Sequence, residues 1–286
     1  LATGDLSAVN VAKHQPMKLA AMEGLYDGSR GQELVAIGIL NPDKRYDNDE
    51  NPYLFHISIP KGLSFLATHD FNAFVPGIND LIEGYEIDEN GETVTCVGYA
   101  DRIAIGKESH EALRAYDTAM ADGDVAGMEV ALEKLRSTYK YFGYGYLDSP
   151  AEAIPPVAMT FYTFRIMVIA GGYLLLFFIV ALFAVYYREQ WLRNKVVQWI
   201  GMLSIVVVWV CSQSGWITAE VGRQPWVIQD LLPTRAAISD ISSATVQVTF
   251  FMFAAVFTIL LIAEISIMLS QINKHSKEDI ETISKD

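Results

Sequence analysis

Two pairs of side chains at the ends of apolar segments could do redox or acid–base chemistry. Arg165 and Met167 stand at the start of one segment, and Glu220 and Arg223 follow the end of the next. A methionine thioether can be an axial ligand of haem iron, and with histidine as the second ligand it raises the reduction potential. The alternative for Met167 is packing, because methionine is a flexible filler of apolar cores.

The charged members of these pairs also have two interpretations each. A carboxylate at membrane depth is costly and marks a functional candidate, but Glu220 could equally pair with Arg223, one helical turn further on. Arg165 could pair with a haem propionate, or extend its guanidinium towards lipid head groups. The segment Gly222–Trp226 adds a glycine for close approach, an arginine that can bind carboxylates with a forked geometry, and a proline that stops a helix.

A third candidate pair lies near the start of the chain. Lys18 and Glu23 are five residues apart in the segment Met17–Gly24, so they do not stack ideally on one helix face. A lysine and a carboxylate can together handle a hydroxyl group that loses a proton. The alternative is an ordinary solvated helix face.

Long uncharged runs are the elements that must position these residues. The runs are Ile166–Tyr187, Val196–Ala219 and Ile241–Ala263. Each exceeds the roughly 20 residues that cross the hydrocarbon core of a bilayer. We therefore predict three transmembrane helices, at about 162–187, 196–219 and 241–269. Because successive helices run antiparallel, the start of the first and the end of the second share one membrane face.

Basic residues predict the orientation of these helices. The short loop after the first helix contains Arg188, Arg193 and Lys195, and the segment 271–286 contains three further lysines. Cytoplasmic loops are enriched in lysine and arginine. We therefore expect residues 1–158 and the loop 217–240 on the outer side, 159–270 as the membrane part, and 271–286 as a cytoplasmic tail.

Residues 1–158 are predicted to form an extramembrane α+β domain, so the fold class is a membrane all-α helical bundle with an N-terminal α+β loop domain. Residues 1–150 contain 24 acidic and 12 basic residues, and this acidic balance argues against nucleic-acid binding. Alternating apolar and polar residues, turn-forming residues and apolar residues at helical spacing predict where the strands and helices of this domain begin and end. The predicted strands are Glu33–Leu40, Tyr53–Ile59 and Glu92–Tyr99, and the predicted helices are His14–Gly24, Ser109–Met120 and Val125–Tyr139.

Taken together, these segments resemble subunit I of the cytochrome bd-type quinol oxidases. The order and spacing of five pieces carry the resemblance, and the Gly-Arg-Gln-Pro-Trp run after an apolar helix is its most specific part. The pieces are Lys18–Glu23, Phe164–Met167, Gly215–Trp216, Ala219–Trp226 and Leu231–Thr234. The resemblance covers nearly the whole chain, which is similar to the long external quinol loop and the last three helices of a nine-helix subunit.

The resemblance implies a terminal respiratory oxidase of the bacterial cytoplasmic (inner) membrane. Such an enzyme oxidises quinol at the outer face, reduces dioxygen to water and generates a proton motive force. Its implied cofactors are a low-spin haem b, a high-spin haem b, and haem d or a third haem b. Its implied partners are subunit II, small single-helix subunits, quinol, dioxygen and the lipid bilayer.

The resemblance also implies roles for the residues nearest the quinol loop. Lys18 and Glu23 would bind quinol or take its protons. Met167 would be one axial ligand of the low-spin haem b, and Arg165 would lie beside that haem.

Three residues at the end of the second helix would serve the other cofactors. By the same resemblance, Glu220 would ligate the iron of the high-spin haem b or balance its charge. Arg223 would hold propionates, and Trp216 would pack between the cofactors.

The chain departs from the family in one respect. The histidine ligands and the acidic proton path of the family precede the quinol loop, and no histidine here stands at a matching membrane position. We therefore expect the chain to be a piece of a longer subunit that is inactive by itself. Two alternatives remain open, namely a non-catalytic three-span receptor or assembly subunit, and a quinone-binding subunit that does not reduce dioxygen.

Overall fold

The computed structural model describes residues 2–89 and 92–283. The protein is mostly helical with small antiparallel strand pairs, which confirms the predicted fold class in its coarse form. Contacts divide the chain into two units, Leu1–Ala237 and Ile238–Asp286. The division into outer, membrane and cytoplasmic segments stays a prediction.

Two helices open the chain, α1 (Ala2–His14) and α2 (Pro16–Glu23). Pro16 at the first position of α2 has the backbone angle that a helix start requires. Gly24 ends α2 with a φ of 61°, and its backbone N–H donates to the carbonyl oxygens of Ala20 and Ala21 in the last turn. This is the geometry of a left-handed C-cap. The predicted helix His14–Gly24 corresponds to α2, whereas α1 was not predicted.

Among the described residues, the strands form four separate antiparallel pairs. These pairs are β1 with β4, β2 with β3, β5 with β6, and β7 with β8. The β2–β3 hairpin pairs Leu34 with Ile59 at its open end and Leu40 with Tyr53 near its turn. The strands are β1 (Ser29–Arg30), β2 (Leu34–Leu40), β3 (Tyr53–Ile59), β4 (Phe74–Val75), β5 (Gly84–Glu89), β6 (Glu92–Val97), β7 (Trp226–Ile228) and β8 (Leu232–Pro233).

Four further helices complete the N-terminal region, which we define as residues 2–153. They are α3 (Gly62–Thr68), α4 (Ile78–Glu83), α5 (Tyr99–Asp122) and α6 (Val125–Thr138), followed by 3-10 turns at Tyr139–Tyr146 and Pro150–Ala153. The predicted strand Glu92–Tyr99 was too long and the predicted helix Ser109–Met120 too short, because Tyr99 is fully buried and already begins α5.

In the part of the chain that the structure describes, three helices are long and apolar enough to cross a membrane, as predicted. They belong to α7 (Val157–Tyr187), α9 (Lys195–Val221) and α10 (Ser243–Ile283), and a short helix α8 (Glu189–Leu192) precedes α9. Helices α7 and α9 pack together and share polar contacts. Tyr173 Oη lies 2.9 Å from Ser204 Oγ, and Thr163 Oγ1 lies 2.9 Å from Thr218 Oγ1.

Buried Tyr144 joins the segment after α9 to the N-terminal region. Its hydroxyl donates to Asp230 Oδ1 at 2.6 Å and accepts from Arg102 Nη1 at 3.0 Å. Its ring meets Trp226 edge-on, with centroids 4.8 Å apart. The structure therefore places the segment that contains the Gly-Arg-Gln-Pro-Trp run against residues 99–146.

We expect Tyr144→Phe to lower the free energy of unfolding by about 1–3 kcal/mol, because it leaves the half-buried Asp230 carboxylate and the half-buried Arg102 guanidinium each short of one hydrogen bond. Thermal unfolding of the full-length protein in detergent measures this change. Tyr146→Phe is the control, since it removes a nearby hydroxyl that does not bond Asp230. Equal midpoints for the two variants would contradict the anchoring role of Tyr144.

Candidate functional site

The candidate site lies where α2 meets the start of α7 and the end of α9. Lys18 and Glu23 from α2, Met167 from α7 and Gly215 from α9 border one cavity of about 320 Å³. Residues separated by up to about 200 positions in the sequence therefore share one space. Three of the residues singled out in the sequence for chemistry are brought together in it.

Glu23 and Arg165 form a buried ion pair at the wall of this cavity. Arg165 Nη2 donates to Glu23 Oε2 at 2.6 Å, and the two side chains are 8% and 2% exposed, respectively. The guanidinium also donates to the carbonyl oxygens of Met22 at 2.5 Å and Val35 at 2.7 Å. The structure thus directs Arg165 to the N-terminal region and not to lipid head groups.

The burial of this ion pair changes the pKa of the Glu23 carboxyl group. Burial raises the pKa of Glu23, and the charge and hydrogen bonds of Arg165 oppose that rise. A carboxyl group with a raised pKa takes up a proton more readily than an exposed one. Glu23 is therefore suited to accept a proton from a molecule in the cavity.

The Lys18 side chain extends from α2 to helix α9. Its Nζ donates to the carbonyl oxygen of Ala219 at 3.2 Å, in the last turn of α9. Burial lowers the pKa of Lys18, Arg223 lowers it further, and Glu220 partly restores it. Lysine near the end of a helix also interacts favourably with the last carbonyl groups.

Glu220 and Arg223 pair with each other beyond Lys18. Arg223 Nη2 donates to Glu220 Oε2 at 2.5 Å, and both side chains are about 40% exposed (38% and 42%). This contact is the alternative that the sequence left open for Glu220. Arg223 Nε is buried and has no hydrogen-bond partner among the described residues. With Lys18 nearby, two cations face one carboxylate, so the cluster can accept a further anionic group such as a propionate.

Met167 is half-buried and its sulfur lies opposite Gly215. A Cβ atom at position 215 would lie 3.0 Å from Met167 Sδ, so glycine provides the space beside the thioether. A thioether that borders a cavity suits one axial position of a haem. Among the described residues, no group of three or more His, Cys, Asp or Glu side chains is placed to hold a metal ion.

Trp216 occupies a different position. Its side chain is 64% exposed, and it does not border the cavity although its neighbour Gly215 does.

Sequence reasoning also missed Tyr53, whose hydroxyl donates to the carbonyl oxygen of Glu23 at 2.5 Å. The sequence signal for the end of α2 was Gly24, but nothing local marked Tyr53 or the carbonyl group of Val35.

The fold and the site define a membrane protein with a cavity that Lys18 and Glu23 border, where α2 meets the start of α7 and the end of α9. The family profile of cytochrome bd terminal oxidase subunit I matches residues 1–276, and the chain belongs to that family. This confirms the resemblance read from the sequence motifs.

Individual relatives agree with the family assignment. The chain is 33% identical over 275 residues to the cytochrome bd-II ubiquinol oxidase subunit 1 of Escherichia coli and covers 50% of it, with 94% of the present chain aligned. It is 24% identical over 281 residues to the cytochrome bd ubiquinol oxidase subunit 1 of Bacillus subtilis, with 97% of this chain and 46% of that protein covered. The chain therefore spans about half the length of the curated relatives it matches.

A solved structure shows a similar fold. The bd oxidase from Geobacillus thermodenitrificans aligns with a TM-score of 0.56 at 21% sequence identity, and the alignment covers 95% of this chain and 45% of that chain.

We expect Arg165→Met to destabilise the fold by about 3–5 kcal/mol, because it leaves the Glu23 carboxylate buried without its partner. The double variant Glu23→Gln/Arg165→Met should recover part of this loss, since it removes both charges. Thermal unfolding of the full-length subunit measures both changes.

The exposed pair Arg235–Asp148, at 2.7 Å, supplies the control for this experiment. Arg235→Gln should leave the unfolding midpoint unchanged, because exposed ion pairs contribute little. An Arg165→Met variant as stable as Arg235→Gln would contradict the structural role of the buried pair.

Proposed function

We propose that this chain is part of a terminal respiratory oxidase that oxidises quinol at the outer membrane face and reduces dioxygen to water. The supporting observation is the cavity in which Lys18, Glu23 and Met167 meet at the end of two membrane-capable helices. Family membership supports the same conclusion. The relatives are named as ubiquinol and menaquinol oxidase subunits, so we propose quinol as the substrate class without choosing between them.

Lys18 and Glu23 would have different roles at the quinol ring. The Lys18 ammonium can donate a hydrogen bond to one ring hydroxyl. The Glu23 carboxylate can accept a proton from a hydroxyl as the ring loses electrons. Arg165 would hold Glu23 in place, and the raised pKa of Glu23 favours proton uptake.

Met167 would be one ligand of the low-spin haem b, and Arg165 would lie beside that haem. Arg223, whose Nε has no hydrogen-bond partner among the described residues, would hold propionates. Glu220 would ligate or balance the high-spin haem b, and Trp216 would pack between cofactors. The chemistry that a low-spin haem b, a high-spin haem b, and haem d or a third haem b would supply here is one-electron transfer between quinol and dioxygen.

The arrangement in the membrane follows from the same proposal. Residues 1–158 and the loop 217–240 would lie outside the bacterial cytoplasmic membrane, and the segment 271–286 inside. Quinol protons would then be released outside while protons for water come from inside, which separates charge across the membrane. Subunit II, and small single-helix subunits, would complete the enzyme.

We expect Met167→Leu to remove or convert to high spin one b-type signal in the reduced-minus-oxidised absorption spectrum of the full-length oxidase. Leucine cannot ligate iron, whereas its size preserves the packing. The control is Met159→Leu, the same exchange at a 48% exposed position earlier in α7. An unchanged spectrum for Met167→Leu would make Met167 a packing residue.

We expect Glu23→Gln to lower kcat/KM for quinol by about 10²-fold or more, because it removes the proton acceptor. Lys18→Met should mainly raise KM, since it removes a hydrogen bond to the bound ring. Steady-state quinol oxidation at constant haem content measures both effects.

Lys13→Met is the control for these two variants, because Lys13 is an exposed lysine of α1 that does not border the cavity. Wild-type kinetics in both Glu23→Gln and Lys18→Met would contradict the proposed quinol site.

A further inference from the structure

One side of the β2–β3 hairpin consists of hydrocarbon side chains. Ile37 pairs with Ile57 and Ile39 pairs with Phe55 across the two strands, so these four side chains share one side of the hairpin. Ile59 continues the same side, two residues after Ile57. All five side chains are 51–54% exposed, and we call the surface that they form the outer face of the hairpin. A contiguous apolar surface of this kind marks a contact with a partner or with a membrane.

The opposite side of the hairpin packs on α7. Gly38 lies between Ile37 and Ile39 in β2 and therefore faces the other way. A Cβ atom at Gly38 would lie 3.3 Å from Phe161 Cζ of α7. The outer face therefore points away from the part of α7 that contains Phe161.

The hairpin runs alongside α7, with its open end towards the apolar part of that helix. Near the turn, the backbone N–H of Leu40 donates to Tyr162 Oη at 3.0 Å. Closer to the open end, Arg165 Nη2 donates to the carbonyl oxygen of Val35 at 2.7 Å. A step along β2 from the turn to the open end therefore corresponds to a step along α7 towards its uncharged run.

The open end of the hairpin reaches the level at which α7 enters the hydrocarbon. Ile37 and Ile59 line a cavity of about 610 Å³ together with Val168 and Ile169 of α7. The uncharged run of α7 is Ile166–Tyr187, which is about as long as the roughly 20 residues that a bilayer core requires. The first residues of that run therefore lie at the membrane boundary, and the open end of the outer face lies there with them.

The charges of the hairpin agree with this placement. Lys61, which follows Ile59 at the open end, is exposed, and a cation is favoured beside anionic head groups. Glu33 at the same end bonds His56 and Ser58, which alternate with the residues of the outer face and so lie on the other side. The turn, at the end away from the membrane boundary, contains the four acidic residues Asp43, Asp47, Asp49 and Glu50.

We propose that the outer face of the hairpin docks on the lipid bilayer, with Ile59 and Ile57 at its open end inserted among the lipid head groups. The N-terminal region would then be held against the membrane by a contact of its own, in addition to its attachment to α7. This contact does not depend on the proposed function.

Another protein surface is the alternative occupant of the outer face. The bilayer is favoured because the open end of this face lies at the level where α7 itself enters the hydrocarbon. The chemistry of the face favours it too. Protein interfaces contain about one hydrogen bond per 100–200 Å², whereas the five side chains of the outer face contain no donor and no acceptor.

The experiment measures the depth of three positions along β3 in the full-length oxidase, reconstituted in vesicles of phosphatidylethanolamine and phosphatidylglycerol. A nitroxide label is attached to Ile59→Cys, Ile57→Cys or Phe55→Cys. Its collisions with oxygen, which dissolves in acyl chains, are compared with its collisions with a charged chromium oxalate complex, which stays in water. The oxidase without an introduced cysteine, treated with the same label, measures the background.

Val130→Cys is the matched control, because Val130 is an aliphatic residue that is 70% exposed on α6, which packs on α5. We expect the ratio of oxygen to chromium collisions to be about tenfold higher at Ile59→Cys than at Val130→Cys, because a charged complex is excluded from apolar surroundings. The ratio should fall from Ile59→Cys through Ile57→Cys to Phe55→Cys, since each step moves about 7 Å along the strand away from the boundary.

A second measurement needs no substitution. A photoactivatable phospholipid in the same vesicles should label the peptide that contains residues 55–59 of the unmodified oxidase and leave the peptides of α6 unlabelled, as mass spectrometry would show.

Three results would overturn the inference. A ratio as low as that of Val130→Cys at all three positions would place the outer face in water. Few collisions with either reagent, together with an unlabelled 55–59 peptide, would show that protein covers the face. Equal ratios at the three positions would contradict insertion by the open end. Haem absorption and quinol oxidation, measured on the same samples, test the proposed function separately.

Discussion

The buried ion pair between Glu23 and Arg165 is the interaction on which the site depends. Removing two charges from water is costly, and the cost is offset only when the pair and its remaining hydrogen bonds are complete. Here the guanidinium meets the carboxylate and two carbonyl oxygens, those of Met22 and Val35. One side chain of α7 therefore holds the end of α2 and the start of β2 at the same time.

The rest of the site follows from that constraint. With the end of α2 held against α7, Lys18 one and a half turns earlier reaches the last turn of α9 and donates to Ala219. Met167, two residues after Arg165, then borders the same cavity as both charged residues of α2. The hairpin that receives Arg165 through Val35 also lines a second cavity, of about 610 Å³, beside α7. A single buried contact thus holds α7 against both α2 and β2.

Sequence reasoning was most successful where a feature is local. The β2 and β3 strands and the helices α2 and α6 were predicted to within about two residues, because turn residues and apolar periodicity mark them directly. Sequence reasoning was least successful where the burial of a side chain decides where a helix begins. Helix α5 begins at Tyr99 and not at Ser109, because Tyr99 is buried against Tyr144, with ring centroids 5.3 Å apart. Helix α1 lacks a clear apolar stripe and was not predicted.

The sequence by itself determined the three membrane-capable helices, the family, and most of the residues that could do chemistry, because uncharged length and short motifs are properties of neighbouring residues. Only the tertiary structure decided how those residues are combined. Arg165 pairs with Glu23 across 142 positions and Lys18 bonds Ala219 across 201, whereas Glu220 is held by its close neighbour Arg223. Which partner a charge takes depends on the packing of distant helices, and no local pattern encodes that packing.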